Sequence, residues 1–146
     1  MFMQDIYVPI LKWKKGEQDA LKELPDKIKD SIIPLIEMTA DCKIENLSKT
    51  FDKSWNGRLY YFDVKPECYS ELGGSIYWDF LKQCPQDYAI PVLNLSDSES
   101  IFSEVIEESN NGIAIRIFGD EFELVEEELN SLVENGILLP PETDII

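Results

Sequence analysis

The sequence predicts an α/β fold: a parallel sheet of about five strand–helix units, similar to a partial, truncated TIM barrel. Five short runs are apolar on both alternating faces, as expected for strands that are covered on both sides. They recur at intervals of 24–30 residues, the length of a strand–helix unit. No Gly-rich G-x-G-x-x-G turn follows them, so a barrel lineage is favoured over a dinucleotide-binding fold.

The predicted strands contain proline at unusual places. Pro9, Pro34 and Pro91 each lie inside an apolar run of the same type, V-P-I-L, I-P-L-I or I-P-V-L. Because proline has no N–H to donate to a central ladder, we expect these prolines to lie at strand starts. The five predicted strands are residues 7–13, 32–38, 59–65, 89–95 and 113–119.

Helices are predicted between the strands from apolar spacings of three and four residues. The last of them has the clearest signals, since Asp120 and Glu123 form a capping-box-like pair and Gly136 ends the helix. Its predicted buried stripe is Phe122, Val125, Leu129, Leu132 and Val133. The preceding helices are predicted at residues 17–24, 43–53, 75–84 and 98–109.

The chain length indicates one domain that spans residues 1–146 and forms the N-terminal part of a longer barrel-like domain. A complete barrel of eight units needs ~250 residues. A sixth strand begins near Asp144, where the printed sequence stops. Open sheet edges of such a partial barrel would be closed by a partner or by a second copy of the chain, so homo-oligomers are expected among its assemblies.

Negative charge is concentrated in the C-terminal third. The net charge is −16, and residues 96–146 hold 14 acidic residues against Arg116, a net of −13. This disfavours direct binding to nucleic-acid phosphates. It favours a basic protein partner, including a nucleic-acid-binding one, and the alternative is a solubilising surface. We predict that Glu126, Glu127 and Glu128 contribute to this binding surface.

Histidine is absent, and Cys42, Cys68 and Cys84 lack C-x-x-C spacing. The usual zinc ligands and the Ser-His and Cys-His nucleophile pairs are therefore missing, and we expect neither a metal nor a cofactor. The odd cysteine count is typical of reduced intracellular thiols. No apolar run approaches the ~20 residues of a membrane span and no signal-peptide pattern is present, so a cytoplasmic location away from membranes is expected.

Alternate residues along each strand are apolar first and polar toward the C-terminal end. The C-terminal ends of barrel strands meet at one mouth, where active sites lie. The predicted catalytic residues are Lys12, Glu37, Asp63, Lys65 and Arg116, and Lys14 and Asn94 are predicted binding residues. The alternative is that these charges mark where strands meet water, or form structural ion pairs.

Several segments resemble one family. The opening YVPILKWKKGEQDALKEL, the strand IIPLIEM, the fragment YFDVK and the ending PPETDII are similar to the N-terminal portion of the phage-type "beta protein" family. The family motif maps onto Pro9, Lys12, Lys14, Gly16 and Glu17, and onto Pro34 and Glu37. The resemblance implies an occurrence in phages and bacteria and a place in phage–host conflict loci. It implies no particular activity.

Two functions are compatible with these observations. The first is an interaction protein in phage defence or counter-defence, which binds a protein partner through its acidic C-terminal half. The second is a TIM-barrel-like enzyme acting on a small anionic substrate at the C-terminal ends of the strands. In that enzyme Lys and Arg would hold the substrate, while Glu37 or Asp63 would move a proton. The sequence leaves open whether the protein is an enzyme.

Overall fold

Parallel strands alternate with helices along the chain in the structure, a computed structural model that describes residues 6–73, 75–95, 97–136 and 143–146. The chain divides into two compact units, residues 1–89 and 90–146. The predicted single domain over 1–146 stays a prediction. The strands are β1 (Ile10–Lys12), β2 (Leu35–Met38), β3 (Tyr60–Val64), β4 (Ala89–Asn94), β5 (Ile113–Arg116) and β6 (Thr143–Ile145). The helices are α1 (Lys15–Glu23), α2 (Asp26–Lys29), α3 (Leu47–Ser54), α4 (Pro66–Leu72), α5 (Ile76–Gln83), α6 (Glu99–Glu108) and α7 (Val125–Glu134).

In the first unit β1 pairs with β2 and β2 with β3, both in parallel, so strand order follows chain order. An isolated parallel bridge between Tyr7 and Ile32 continues this pairing before β1 and β2 begin. The core is built from β3 and from helix residues that cover it. Tyr60 and Phe62 of β3 and Phe51 of α3 are fully buried. Helices α1 and α3 contact each other.

In the second unit β4 pairs with β5 and β5 with β6, again in parallel and in chain order. Phe102 and Val105 of α6 are buried, as are Ile113 and Ile115 of β5. The predicted α/β class with parallel strands is therefore confirmed. The predicted sixth strand is also confirmed, since β6 begins at Thr143; the residues directly before it, 137–142, lie outside the described part of the chain.

The prolines follow the prediction at two places out of three. Pro9 and Pro34 each precede the first residue of their strand, and their carbonyls accept the N–H groups of Leu35 at 2.8 Å and Tyr61 at 2.9 Å. Pro91 instead lies inside β4. The ladder with β5 starts only at Val92, so this ladder does not require the N–H that proline lacks.

The predicted start of the last helix was wrong. A 3₁₀ turn covers Gly119–Glu121 and α7 begins at Val125, so Asp120 is no N-cap. At the start of the 3₁₀ turn, the Glu121 carboxylate accepts the backbone N–H of Phe118 at 3.0 Å. The predicted buried stripe was also wrong in part: Leu132 is buried, whereas Phe122 and Val133 are exposed.

Helix α4 was missed, although Pro66 at its first position is a recognised helix-start signal.

Candidate functional site

The register of the first unit places three predicted catalytic residues in one row. Lys12 is the pairing partner of Glu37, and Glu37 is that of Asp63. Paired residues of neighbouring strands point to the same face of a sheet, so this row carries one cation and two carboxylates side by side. Lys12 is exposed, Glu37 is half-buried and Asp63 is buried. The row therefore runs from solvent into the core.

Lys65 and Glu67 follow Asp63 along the chain, just beyond the C-terminal end of β3. The Lys65 ammonium lies 3.3 Å from a Glu67 carboxylate oxygen. Glu67 raises the pKa of Lys65 through this hydrogen bond, and the charge of Glu37 adds to the effect. A backbone hydrogen bond and the Lys65 pair lower the pKa of Glu67. Both groups therefore stay charged at neutral pH, and Lys65 is suited to hold an anion rather than to accept a proton.

Asp63 has a structural contact that the sequence did not indicate. Its side chain is only 6% exposed, and one carboxylate oxygen accepts the backbone N–H of Val64 at 2.8 Å. A buried carboxylate needs such donors, because an unpaired buried charge is costly. The arrangement is compatible with proton transfer and equally with a structural role, so its catalytic role stays a prediction.

In the second unit the register places Asn94 beside Arg116 at the C-terminal ends of β4 and β5. The Arg116 guanidinium lies 4.9 Å from the centre of the Phe118 ring, a cation–π distance. Asn94 donates its backbone N–H to Asp97 at 2.7 Å. Its buried side-chain oxygen has no hydrogen-bond partner among the described residues. The single rim predicted for Lys12, Glu37, Asp63, Lys65, Asn94 and Arg116 together stays a prediction.

Asp97 was not singled out from the sequence, yet burial raises its pKa above the ordinary value of about 3.8, while the Asn94 N–H acts in the opposite direction. A raised folded-state pKa gives stability that is present below the unfolded value and lost as the pH rises through the folded value. We therefore expect Asp97→Asn to gain stability relative to the unchanged protein as the pH is raised from about 3 to about 7. Urea unfolding of both proteins across this range measures the effect. A stability difference that is the same at every pH would contradict it.

The second unit carries an acidic and apolar surface where α7 begins. We call Phe122, Leu124, Glu126, Glu127 and Glu128 the α7 surface. Phe122 is 69% exposed and Leu124 55%, and the three glutamates occupy the exposed first turn of the helix. The three glutamates that the sequence predicted as part of a binding surface are thus exposed, while their binding role stays a prediction. It did not predict exposed apolar side chains directly before them.

The glutamates at the start of α7 also have a local stabilising role, because a helix N-terminus favours negative charge. Glu107 and Glu108 lie in the last turn of α6, where the helix dipole disfavours them. We expect the triple change Glu126→Gln, Glu127→Gln and Glu128→Gln to destabilise the protein by about 1–2 kcal/mol. Glu107→Gln with Glu108→Gln should stabilise it slightly. Opposite shifts of the thermal midpoint are expected; shifts of the same sign would contradict the dipole explanation.

Lys14 lies apart from the row of Lys12, Glu37 and Asp63. It is the N-cap residue of α1 and lines a cleft of about 540 Å³ together with Trp13 and Lys43. Sequence reasoning identified Lys14 but not its neighbours in the cleft, because they come from the loop after β2, from α1 and from α3. The run Lys14–Lys15 was the available signal.

Two further properties concern the described residues alone. Their Cys, Asp and Glu side chains form no group of three or more that could hold a metal ion. Their helices include none with the length and apolar character needed to cross a membrane.

The fold and these sites define a parallel α/β protein with charged residues at the C-terminal ends of its strands and an acidic C-terminal unit. The chain belongs to the Beta protein family, since the family model described as Beta protein matches residues 7–146. This confirms the resemblance inferred from the sequence. Neither a curated protein nor a solved structure matches the chain.

Proposed function

We propose that this protein is an interaction protein of a phage–host conflict system and that it binds a basic protein partner through the α7 surface. The observation that supports this is the exposure of Phe122, at 69%, and Leu124, at 55%, a few residues before the three exposed glutamates of the first turn of α7. An exposed apolar patch rimmed by charge is typical of a protein-binding site.

The two components of the α7 surface have different roles in binding. Aromatic side chains that become fully buried supply much of the binding free energy of an interface, so Phe122 is the expected anchor. The charges of Glu126, Glu127 and Glu128 attract a partner of opposite sign and orient it, which raises the association rate more than the final affinity.

The expected partner therefore has an apolar pocket surrounded by lysines and arginines. Proteins that bind nucleic acids commonly carry such basic surfaces, so they are the favoured class of partner. Direct nucleic-acid binding by this chain is disfavoured by its net charge of −16. The phage–host setting extends what the family resemblance implies, and it remains part of the proposal.

Capture from lysates of phage-infected and uninfected host cells tests the proposal. The unchanged protein should retain a basic protein that the triple variant Glu126→Gln, Glu127→Gln, Glu128→Gln loses. The matched control is Glu104→Gln, Glu107→Gln, Glu108→Gln, which removes as many exposed charges from α6 of the same unit. Equal capture by both variants, or equal loss in both, would overturn the proposal.

An enzyme acting on a small anionic substrate is the second candidate, because the register aligns Lys12, Glu37 and Asp63. Lys12 and Lys65 would hold the anion, and Glu37 or Asp63 would transfer the proton. Asp63→Asn keeps an oxygen that can accept the Val64 N–H but removes the ionisable group. The assay is the efficiency of phage plating on cells that express each variant. If Asp63→Asn folds but no longer changes plating as the unchanged protein does, while the triple Gln variant of α7 still does, the enzyme function is favoured over the interaction function.

A further inference from the structure

A cleft of about 540 Å³ with charged residues in its lining lies in the first unit, outside the row of Lys12, Glu37 and Asp63 and outside the α7 surface. The loop after β1 and the first residues of α1 supply one side, through Lys14, Lys15 and Gln18. The loop after β2 and the 3₁₀ turn Ile44–Asn46 before α3 supply the other, through Lys43 and Asn46. The volume falls in the usual range for small-molecule sites, roughly 300–1,000 Å³.

The charge of this cleft is opposite to that of the whole chain. Three lysines and one carboxylate, Asp41, line it, a net of +2, whereas the chain carries −16. Lys15 is paired with Asp19 at 2.7 Å, and Lys14 lies at the 4.0 Å limit of an ion pair with Asp41. No ion pair within the described ranges involves Lys43. Lys14 and Lys43 are therefore the amines most available to a ligand.

The carboxylate in the cleft is already engaged. The Thr39 hydroxyl donates to Asp41, and this hydrogen bond, more than the Lys14 charge, lowers the pKa of the Asp41 carboxyl. Asp41 is therefore ionised at neutral pH and holds its position beside Lys14. It opposes an anionic ligand by one charge without cancelling the positive charge of the cleft.

The inner wall of the cleft is held in place by ring stacking and hydrogen bonds. The Trp13 indole stacks on Phe51, with 4.2 Å between ring centres, and donates its N–H to the Thr50 hydroxyl at 3.0 Å. The Thr50 hydroxyl in turn donates to the Leu47 carbonyl at 3.0 Å. A wall fixed in this way loses little conformational entropy when a ligand binds, which favours affinity.

We propose that this cleft binds a small phosphate monoester, with Lys14 and Lys43 on the phosphate and Gln18 and Asn46 near the organic part. A dianionic phosphate matches the net charge of the lining, and lysine ammonium groups are common phosphate ligands. A small ligand meets mainly the local lysines, because charges beyond about 8 Å are largely screened at physiological salt. The net charge of −16 disfavours a long polyanion, so nucleic acid is not the proposed occupant.

Two-dimensional ¹H–¹⁵N NMR of the full chain tests this site with ribose 5-phosphate as the probe and ribose as its uncharged counterpart. The Trp13 indole N–H should shift on addition of ribose 5-phosphate, and Trp13→Phe assigns its peak among those of Trp55 and Trp78. Ribose should leave that peak unmoved. Loss of two charge-assisted contacts in the double variant Lys14→Ala, Lys43→Ala should weaken binding at least about tenfold.

Two further variants separate the cleft from general electrostatics. Lys82→Ala removes an exposed lysine from α5 of the same unit and should leave the affinity unchanged. Asp41→Asn keeps an acceptor for the Thr39 hydroxyl but removes the opposing charge, so it should tighten binding. The proposal is wrong if ribose 5-phosphate does not move the Trp13 peak, if ribose moves it equally, or if Lys82→Ala weakens binding as much as the double variant does. Because this cleft shares no residue with the α7 surface, its failure would leave the proposed function untouched.

Discussion

Replacing Trp13 with alanine should lower the free energy of unfolding of the first unit by about 3–5 kcal/mol, the usual cost of removing a buried tryptophan. The side chain is 3% exposed, stacks on Phe51 and donates its indole N–H to Thr50. Phe51 in turn packs on Tyr60, with 4.6 Å between ring centres. Alanine would leave a cavity at one end of this aromatic row and remove the N–H that donates to the Thr50 hydroxyl, which keeps its hydrogen bond to the Leu47 carbonyl.

Trp13→Phe is the matched control for this prediction. It keeps an aromatic ring against Phe51 and loses the indole hydrogen bond and part of the buried area, so a cost of about 1–2 kcal/mol is expected. Urea unfolding followed by far-UV circular dichroism measures both variants without depending on tryptophan fluorescence. A cost below about 1 kcal/mol for Trp13→Ala would contradict the packing described for this residue.

Replacing Phe122 with alanine should leave the stability of the protein almost unchanged and weaken its binding to the partner. Because its side chain is 69% exposed, the free energy of unfolding should change by less than about 0.5 kcal/mol. If Phe122 anchors the partner, the dissociation constant of the complex should rise by a factor of about thirty or more, as for other interface anchors of about 2 kcal/mol. Binding is measured by calorimetry with the purified partner.

Ile101→Ala is a suitable comparison for Phe122→Ala. Ile101 lies on α6 of the same unit and is 39% exposed, but it is outside the α7 surface. The affinity for the partner should therefore remain within about twofold of that of the unchanged protein. If Ile101→Ala and Phe122→Ala weaken the complex equally, Phe122 is not an anchor.

Each of the five apolar runs in the sequence contains a strand of the structure, and the predicted alignment of Lys12, Glu37 and Asp63 is observed. Parallel strands that are buried on both faces have a strong apolar signal, and their side chains alternate with a fixed period of two. Lys12, Glu37 and Asp63 therefore came out in register, although the strands are shorter than the apolar runs. The extra residues of those runs include Pro9 and Pro34, which cannot donate to a ladder.

The start of α7 and the cleft could not be predicted in the same way. Asp120 and Glu123 have capping-box spacing, but a 3₁₀ turn with Glu121 as the capping carboxylate takes its place. Local spacing does not determine which of these nearby carboxylates accepts a backbone N–H. The cleft depends on the packing of α1 against α3, which no local sequence pattern specifies.

The most direct test of the proposed function is the dissociation constant between this protein and the captured basic partner, measured at low and high salt for the unchanged protein and for Phe122→Ala. Raising NaCl from about 0.05 M to about 0.5 M shortens the screening length severalfold, so the unchanged protein should bind more weakly at high salt. The Phe122→Ala complex should be weaker at both concentrations. An affinity that depends neither on salt nor on Phe122 would contradict binding through the α7 surface.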